Sequence, residues 1–308
     1  MTSESYHIPV MVQEVLDNLN VTAGGLYIDC TLGGGGHSRA ILEKGGNVIG
    51  IDRDRDAIQY ALKKISGFQS RFSTHVAKFS AIASIAAEHT GFVDGVLMDL
   101  GVSSKMIDDP SKGFSYRGNG PLHMSMGCSD TSAYDVVNKT PVDELSNIIK
   151  SFGEERKARS IARSIARARS IHPIETTAEL SDIIESAVGP YMPQKSKARV
   201  FQALRIYVND ELGELQAGLD GALGMLGAHG RLCVISYHSL EDKIVKYFMK
   251  EHADPCSCPP DLPKCSCGRQ PELTLVTKRA IRPSPEEIER NPRARSALLR
   301  AAEKPEMI

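Results

Sequence analysis

The sequence lacks both the long apolar runs of a membrane protein and the excess positive charge of a general nucleic-acid binder. No stretch approaches the roughly 18 consecutive apolar residues of a membrane span. The 37 Lys and Arg residues are balanced by 38 Asp and Glu residues, which gives a formal net charge of -1. A uniformly basic nucleic-acid binder is therefore excluded, and any basic surface must be local.

The first residues also lack the features of a secretory signal, because they include an acid and no apolar run follows them. We therefore expect a cytoplasmic protein whose seven cysteines are reduced. Its 308 residues are 41% hydrophobic and 24% charged, an ordinary globular composition. That length suits one large domain or two modest ones.

Short apolar runs alternate with helix-like stretches near the start of the chain, and another such pair comes after residue 209. This alternation is typical of βαβ units and predicts an α/β fold with a parallel sheet between helices. The predicted strands are Leu26–Cys30, Asn47–Asp52, Phe72–Val76, Asp94–Asp99 and Arg231–Ser236. The predicted helices are Gly36–Lys44, Arg55–Ile65, Ser80–His89 and residues 210–226.

The interval between the fourth and fifth predicted strands has a different character. Residues 101–130 are rich in Gly, Ser, Asp, Met and Pro, which indicates loop. From Val142 to Ala187 the pattern is helical, and Thr176-x-x-Glu179 predicts a capping box. We therefore predict a discontinuous α/β domain, residues 1–104 and 210–308, with a mostly helical domain, residues 105–209, inserted into it.

A glycine loop, residues 33–36, follows the first predicted strand and opens a helix. Glycines permit positive φ and let a ligand approach N–H groups at a helix N-terminus, although a glycine-rich turn without a ligand has the same composition. The G-x-G-x-x-G pattern of dinucleotide sites is absent, because Gly33-x-Gly35 is followed by Ser38. The acid four residues before G-x-G, Asp29, fits an S-adenosylmethionine site better, since that ligand has no pyrophosphate.

Three further residues follow predicted strands, where open α/β sheets place their chemistry. Asp52 ends the second strand, and its carboxylate can accept hydrogen bonds from ribose hydroxyls. Phe79 follows the third strand and is either a face for adenine or a core aromatic. Asp99 ends the fourth strand and is either functional or the cap of a turn.

Many separate blocks of this chain resemble one family, the small-subunit rRNA cytosine-N4 methyltransferases known as RsmH or MraW. The matching blocks are His7–Val12, Tyr27–Asp29, Gly33–Ser38, Ile51–Asp54, Asp99–Ser104, Gly113–Ser115, Gly153–Arg156, Phe201–Arg205, Ser236–Asp242 and Asn291–Ser296. The resemblance implies a Rossmann-like S-adenosylmethionine-dependent methyltransferase with an inserted helical domain that recognises the substrate. It further implies that the enzyme methylates the N4 amine of cytidine 1402 in 16S rRNA, in the P site of the small (30S) ribosomal subunit.

The family's cofactor contacts fall on residues that all match here. They are Gly35, Gly36, His37, Asp52, Phe79 and Asp99. One further contact departs from the family, because Met106 stands where a glutamine is usual and cannot donate an amide hydrogen bond. A second departure lies in the segment from Pro121 to Gly127, where the family has Pro-Leu-Asp-Met-Arg-Met-Asp. Its two carboxylates and its guanidinium are replaced by His123, Ser125 and Gly127.

Methyl transfer to an exocyclic amine benefits from an acceptor that holds the amine and stabilises its developing charge. Asp99 is the best candidate for this catalytic role, although it could serve the methionine amine of the cofactor instead. His238, after the fifth strand, is the second candidate, and a hydrogen-bonded helix cap is its alternative.

The insert also contains a row of arginines with helical spacing, Arg156, Arg159, Arg163 and Arg167. Such a row suits phosphate contacts, and a solvated helix face is the alternative. Near the C-terminus, Cys256-x-Cys258 and Cys265-x-Cys267 supply four thiols that either bind Zn²⁺ or form a redox-responsive loop. Because structural zinc more often uses C-x-x-C pairs, no metal site is predicted.

Two other functions remain open at this stage. One is a nicotinamide-dependent oxidoreductase of similar fold, which the missing third glycine disfavours. The other is a non-catalytic rRNA-binding or assembly protein that keeps the fold, which the departures in the segment from Pro121 to Gly127 favour. The expected partner is 16S rRNA in the 30S subunit, no membrane partner is expected, and a homodimer is left open.

Overall fold

The computed structural model describes residues 9–89, 92–102, 104–127, 131–190, 192–259 and 266–306. The chain divides into two compact units. The first unit is Met1–Gly101 with Leu212–Ile308, and the second is Val102–Glu211. No helix in the described ranges is both long enough and apolar enough to cross a bilayer.

The first unit is built around a seven-stranded sheet. The strands are β1 Leu26–Asp29, β2 Asn47–Asp52, β3 Phe72–Val76, β4 Val93–Asp99, β5 Leu226–Ser236, β6 Thr274–Leu275 and β7 Leu298–Glu303. They lie in the order β3-β2-β1-β4-β5-β7-β6. Strands β1 to β5 are parallel, β7 runs antiparallel to β5, and β6 runs antiparallel to β7.

Helices cover both faces of this sheet, which gives two apolar cores. The helices are α1 Val12–Leu19, α2 Gly36–Glu43, α3 Arg55–Lys64, α4 Ile82–His89, α11 Glu211–Met225, α12 Ser239–Ala253 and α13 Pro285–Arg290. On one face Ile28, Val96 and Met98 pack with residues of α4, α11 and α12. On the other face Tyr27 and Leu97 pack with residues of α1, α2 and α3.

The strand order turns back between β1 and β4. From β1 the chain builds β2 and β3 on one side, and from β4 it continues to β5 on the other side. In open α/β sheets this switch point opens a crevice at the carboxyl ends of the strands, where ligands bind. The fold is therefore the predicted Rossmann-like α/β fold, and its crevice is flanked by the residues that end β1 and β4.

The second unit is helical. Its helices are α5 Ser104–Asp108, α6 Ala133–Lys139, α7 Val142–Gly153, α8 Ala158–Arg169, α9 Thr177–Val188 and α10 Pro193–Asn209. Helices α6 to α10 share one apolar core. The predicted capping box is confirmed, because the Thr176 side chain accepts the Glu179 N–H and the Glu179 carboxylate accepts the Thr176 N–H.

Candidate functional site

Three acidic residues lie where parallel strands of the first unit end. Asp29 ends β1, Asp52 ends β2 and Asp99 ends β4. These three strands are neighbours in the sheet, in the order β2, β1, β4. Their carboxyl ends share one edge, so the predicted residues Asp52 and Asp99 flank the switch-point crevice together with Asp29.

The glycine loop turns from β1 into α2 through two residues with positive φ. Gly33 has φ +49° and Gly35, the residue before α2, has φ +71°. A Cβ on Gly35 would lie 2.8 Å from Ile65 Cδ1, and one on Gly36 would lie 2.8 Å from Pro9. A Cβ on Gly33 would have the Thr31 carbonyl oxygen, at 3.7 Å, as its nearest neighbour. Packing against the protein's own chain thus requires Gly35 and Gly36, whereas the protein leaves space beside the Gly33 Cα.

Asp52 holds this loop in place. Its Oδ2 accepts the Gly33 N–H at 2.8 Å, and its Oδ1 accepts the Asp54 N–H at 2.8 Å. Burial raises the pKa of the Asp52 carboxyl above its usual range, although the two N–H donors oppose that shift. A carboxylate oxygen can accept more than one hydrogen bond, so Asp52 retains acceptor capacity for the ribose hydroxyls that the sequence analysis assigned to it.

Asp29 is a residue of this site that the sequence analysis noted only as a spacing signal. Its side chain is buried and accepts hydrogen bonds from Ser38 Oγ at 2.7 Å and from the Thr31 N–H at 3.2 Å. Burial raises the pKa of the Asp29 carboxyl, and the hydrogen bonds from Ser38 and Thr31 oppose that shift. Asp29 therefore holds residues on both sides of the glycine loop, Thr31 before it and Ser38 after it.

Asp99 lies between two aromatic partners. The Tyr237 hydroxyl donates to Asp99 Oδ1 at 2.8 Å, and His37 Nδ1 lies 3.7 Å from Asp99 Oδ2. The Asp99 N–H donates to Thr31 Oγ1 at 2.7 Å, which ties the end of β4 to the start of the glycine loop. The structure thus brings two predicted residues, His37 and Asp99, into one polar cluster.

The orientation of His37 decides what this cluster can hold. His37 Nε2 lies 2.8 Å from the Val10 carbonyl oxygen, which can only accept a hydrogen bond. A neutral imidazole in this position carries its proton on Nε2 and presents a lone pair at Nδ1. Nδ1 and Asp99 Oδ2 then form two acceptors 3.7 Å apart, an arrangement that suits an amino group with two N–H donors.

Tyr237 belongs to this cluster although the sequence did not single it out. Burial and the charge of Asp99 raise the pKa of the Tyr237 phenol well above its usual value of 10.0. The phenol therefore stays protonated at neutral pH and acts as a fixed donor to Asp99. In the sequence, only the family block Ser236–Asp242 points to a role for Tyr237. Its contact with Asp99 joins residues that lie far apart in the chain, so no local pattern indicates it.

Phe79 lies in a short 3-10 turn after β3, and its ring is half-buried. A Cβ on Gly218 of α11 would lie 2.6 Å from Phe79 Cδ2, so the ring edge packs tightly on that helix. The preceding residue, Lys78, pairs with Glu214 of α11 at 2.9 Å. Packing on the core and a face for adenine are therefore compatible, because α11 fixes the ring without burying it completely.

His238 is the N-cap of α12. Its Nδ1 accepts the Glu241 N–H at 3.4 Å, and the Glu241 carboxylate accepts the His238 N–H at 3.2 Å. These reciprocal bonds are those of a capping box. The structure thus supports the helix-cap interpretation of His238.

Acceptors at the ends of β2 and β4, a glycine loop that is uncrowded at Gly33 and a half-buried ring at Phe79 provide the contacts that S-adenosylmethionine requires. Carboxylates suit the ribose hydroxyls and the methionine amine, and an aromatic face suits adenine. The residues present therefore fit that cofactor.

The second unit presents a basic helix face, which we call the α8 arginine face and define as Arg159, Arg163 and Arg167. These three side chains are exposed, while Ile161 and Ile165 on the same helix are fully buried. Within the described ranges, no carboxylate lies at salt-bridge distance from the α8 arginine face. Arg156 is also exposed, but it lies in the turn before α8, because the helix begins only at Ala158.

The segment 121–127, where the sequence departs from the family, alternates between the core and solvent. Leu122, Met124 and Met126 are buried in the second unit. The side chain of Asn209 accepts the Met126 N–H at 2.7 Å and donates to the Met124 carbonyl at 2.8 Å. The departing residues occupy the alternate positions, with His123 and Gly127 exposed and Ser125 half-buried. The departures therefore change the outer face of this segment and leave its anchoring intact.

The remaining departure, Met106, is half-buried in α5. Among the cysteines, Cys256, Cys258 and Cys267 lie together in the loop after α12. Cys265, the fourth thiol of that pattern, lies outside the described residues.

The comparisons with known proteins agree across nearly the whole chain. Residues 4–305 match the MraW methylase family. The chain is 48% identical over 307 residues to the ribosomal RNA small subunit methyltransferase H of Carboxydothermus hydrogenoformans, with 98% of both chains covered. It is 46% identical to the Heliobacterium modesticaldum protein of the same name, with 97% of this chain and 98% of that protein covered. Among solved structures, an rRNA methylase from Streptococcus thermophilus is 10% identical with a TM-score of 0.45, and 97% of this chain and 99% of that one are covered.

Proposed function

Because the chain belongs to the MraW methylase family, we propose that it methylates the N4 amine of cytidine 1402 in the 16S rRNA of the small ribosomal subunit. Family membership makes the protein a methyltransferase that uses S-adenosylmethionine. The nicotinamide oxidoreductase and the non-catalytic assembly protein are therefore set aside. The observation that supports small-subunit rRNA as the substrate is the shared name of relatives that are 48% and 46% identical over almost their full length. The N4 amine of cytidine 1402 is what the resemblance to the family implies.

The first unit supplies the cofactor site in this proposal. Asp52 accepts hydrogen bonds from the ribose, Phe79 lies against adenine, and the glycine loop from Gly33 to His37 lines the approach between them. Asp29 holds that loop in place by accepting hydrogen bonds from Ser38 Oγ and the Thr31 N–H. When bound, S-adenosylmethionine supplies an electrophilic methyl group.

Asp99 is the proposed catalytic residue. The N4 lone pair of cytidine is delocalised into the ring, so an acceptor for its N–H groups favours the pyramidal geometry needed for attack. Tyr237 fixes the Asp99 carboxylate through Oδ1, which leaves Oδ2 directed toward His37. Asp99 Oδ2 and His37 Nδ1 together can accept the N–H groups of one amine, either the cytidine amine or the methionine amine. Which amine they hold decides whether Asp99 acts in turnover or in cofactor binding.

The second unit supplies the RNA-binding surface. The α8 arginine face holds three exposed guanidinium groups, and within the described ranges no carboxylate neutralises them. Arginine without an internal partner is well placed to bind phosphate, and phosphate contacts supply much of the affinity for RNA. A surface of this kind can hold structured RNA while one base is unstacked, as chemistry on a base requires.

The test is methyl transfer to small subunits that lack the modification. Undermodified 30S subunits are incubated with labelled S-adenosylmethionine, and the labelled nucleoside and its position are identified. The proposal predicts N4-methylcytidine at position 1402, with labelling slower by about hundredfold or more when the Asp99→Asn variant replaces the wild type. Label on another base, or at another cytidine, would overturn the proposed target.

A further inference from the structure

The segment that follows α12 is poor in large apolar side chains. Residues 254–271 read DPCSCPPDLPKCSCGRQP and contain one large aliphatic side chain. A segment of this length without secondary structure is uncommon within a compact unit and is usually functional when ordered. Disulfides and structural metal ions are the means by which small proteins hold together chain that lacks an apolar core.

The two ends of this loop are closed by hydrogen bonds. The Glu272 and Leu273 N–H groups donate to the His252 carbonyl at 2.9 and 3.1 Å, and His252 Nδ1 lies 2.8 Å from the Glu272 carboxylate. Leu273 is buried in the core of the first unit. The segment therefore begins and ends at a fixed point, and a bond between its two described arms, residues 254–259 and 266–271, adds to that closure.

Three cysteines from both arms meet inside the loop. Cys256 and Cys258 lie on the outgoing arm, Cys267 lies on the returning arm, and their sulfur atoms all lie within 4.8 Å of one another. Sγ of Cys256 and Sγ of Cys267 are 4.0 Å apart. This separation is much too long for a disulfide, whose sulfurs lie about 2.05 Å apart. It is close to the separation of about 3.8 Å that tetrahedral geometry gives two sulfurs bound to zinc at about 2.3 Å.

The backbone around the sulfurs also favours thiolates. The Ser266 N–H points at Cys258 Sγ at 3.3 Å, and a donor in this position stabilises the negative charge of a thiolate ligand. Gly268, directly after Cys267, has φ +67°, a backbone conformation that favours glycine. Three soft sulfur donors within 4.8 Å of one another select zinc or an iron–sulfur centre over hard cations such as Mg²⁺.

We propose that Cys256, Cys258 and Cys267 bind a structural Zn²⁺ ion that fastens the two arms of the loop over residues 254–271. Three thiolates occupy three of the four positions of a tetrahedral site and leave one for a further ligand. Binding releases the thiol protons to solvent, because the thiolate is the ligand form. This site is separate from methyl transfer and does not depend on the proposed function.

The test is the metal content of the full-length protein, purified without an affinity tag that binds metal and analysed by elemental mass spectrometry. The site predicts about one zinc per chain, with Cys256→Ser and Cys258→Ser each lowering zinc to background. Ser257→Ala is the matched control, because this exposed residue lies between the two cysteines and should leave zinc unchanged. After chelation, added Co²⁺ should give the visible bands of tetrahedral cobalt together with a thiolate-to-metal charge-transfer band.

Wild-type protein alone can overturn the proposal, so it does not depend on the variants folding. Protein free of zinc that gives no tetrahedral cobalt spectrum would contradict it. Iron in place of zinc would assign the sulfurs to a different centre. A peptide that contains Cys256 disulfide-linked to Cys267 would show that the loop is a redox element.

Discussion

The crevice of the first unit and the α8 arginine face of the second unit carry charges of opposite sign in opposite environments. In the crevice, Asp29, Asp52 and Asp99 are buried or half-buried, and each has defined hydrogen-bond partners. On α8 the three arginines are exposed and have no carboxylate partner within the described ranges. Buried acceptors with fixed partners recognise a small ligand by geometry, whereas exposed cations attract a polyanion over a distance that salt limits.

This difference predicts which variants affect the cofactor, which affect the RNA, and which affect neither. Changes in the crevice should act on turnover or on S-adenosylmethionine affinity with little dependence on salt. Changes on α8 should act on RNA affinity and should depend on salt strongly.

The largest effect is expected for Asp99→Asn. The variant keeps the shape of the side chain but removes the negative charge, so turnover should fall about hundredfold or more if Asp99 assists the amine. Single-turnover methyl transfer at saturating cofactor measures this directly, and calorimetry gives cofactor affinity in parallel. A variant that loses only cofactor affinity would assign Asp99 to the methionine amine.

Asp52→Ala should weaken S-adenosylmethionine binding by about 1–3 kcal/mol, the usual cost of removing a partner from a hydrogen bond to a charged group. Asp56→Ala is the matched control, because Asp56 is an exposed acid four residues away in the first turn of α3. Calorimetric titration of both folded variants provides the measurement. Equal affinities for the two variants would remove Asp52 from the cofactor site.

Arg159→Glu/Arg163→Glu should weaken binding to small subunits by about tenfold or more at 0.1 M salt and lower the slope of log affinity against log salt by about 1.5. Cofactor affinity should not change. Lys150→Glu/Lys195→Glu reverses the same formal charge on two exposed residues of α7 and α10 and serves as the control. If both double variants have the same salt slope, α8 acts only through the net charge of the protein.

Tyr237→Phe removes the donor to Asp99 Oδ1 and should lower the free energy of unfolding at neutral pH by about 1.5 kcal/mol. The raised pKa of Tyr237 adds a pH dependence. Above about pH 10 the phenol ionises in the unfolded chain while it is still protonated in the folded protein. The wild type should therefore lose stability relative to Tyr237→Phe as pH rises above 10, and chemical denaturation at neutral and alkaline pH measures the gap. A gap that stays constant with pH would argue against a protonated, buried phenol.

The smallest effect is expected for His123→Asp/Ser125→Arg, which restores two family residues on the outer face of segment 121–127. Because these positions alternate with the buried ones, the free energy of unfolding should change by less than about 0.5 kcal/mol. Met124→Ala, in the buried series, should lower it by about 2–5 kcal/mol. A large loss of stability in the outer-face variant would contradict the alternation seen in the structure.

The sequence predicted those parts of the fold that local patterns encode. Apolar runs located β1 to β5, and the Thr176 capping box lies where the spacing placed it. The last two strands were not predicted, because β6 has two residues and β7, Leu-Leu-Arg-Ala-Ala-Glu, has the composition of a helix. The predicted arginine row includes Arg156, which lies outside the helix. Glu154 takes a left-handed conformation at the end of α7, and α8 begins only at Ala158.

In the candidate site, strand ends and glycines gave the positions of the acids but not their partners. The contacts of Asp99 with Tyr237 and of His37 with the Val10 carbonyl join residues that are distant in sequence, and no local pattern encodes them. The packing that requires glycine at position 35 and the hydrogen bond from the Gly33 N–H to Asp52 likewise depend on side chains from other elements.

The most direct test of the division between the two units is a paired titration of Asp52→Ala and Arg159→Glu/Arg163→Glu, each against S-adenosylmethionine and against undermodified small subunits. We predict that Asp52→Ala loses cofactor affinity and keeps subunit affinity in the absence of cofactor. The arginine variant should lose subunit affinity and keep cofactor affinity. Parallel losses in both variants, or a loss of cofactor affinity in the arginine variant, would contradict the account.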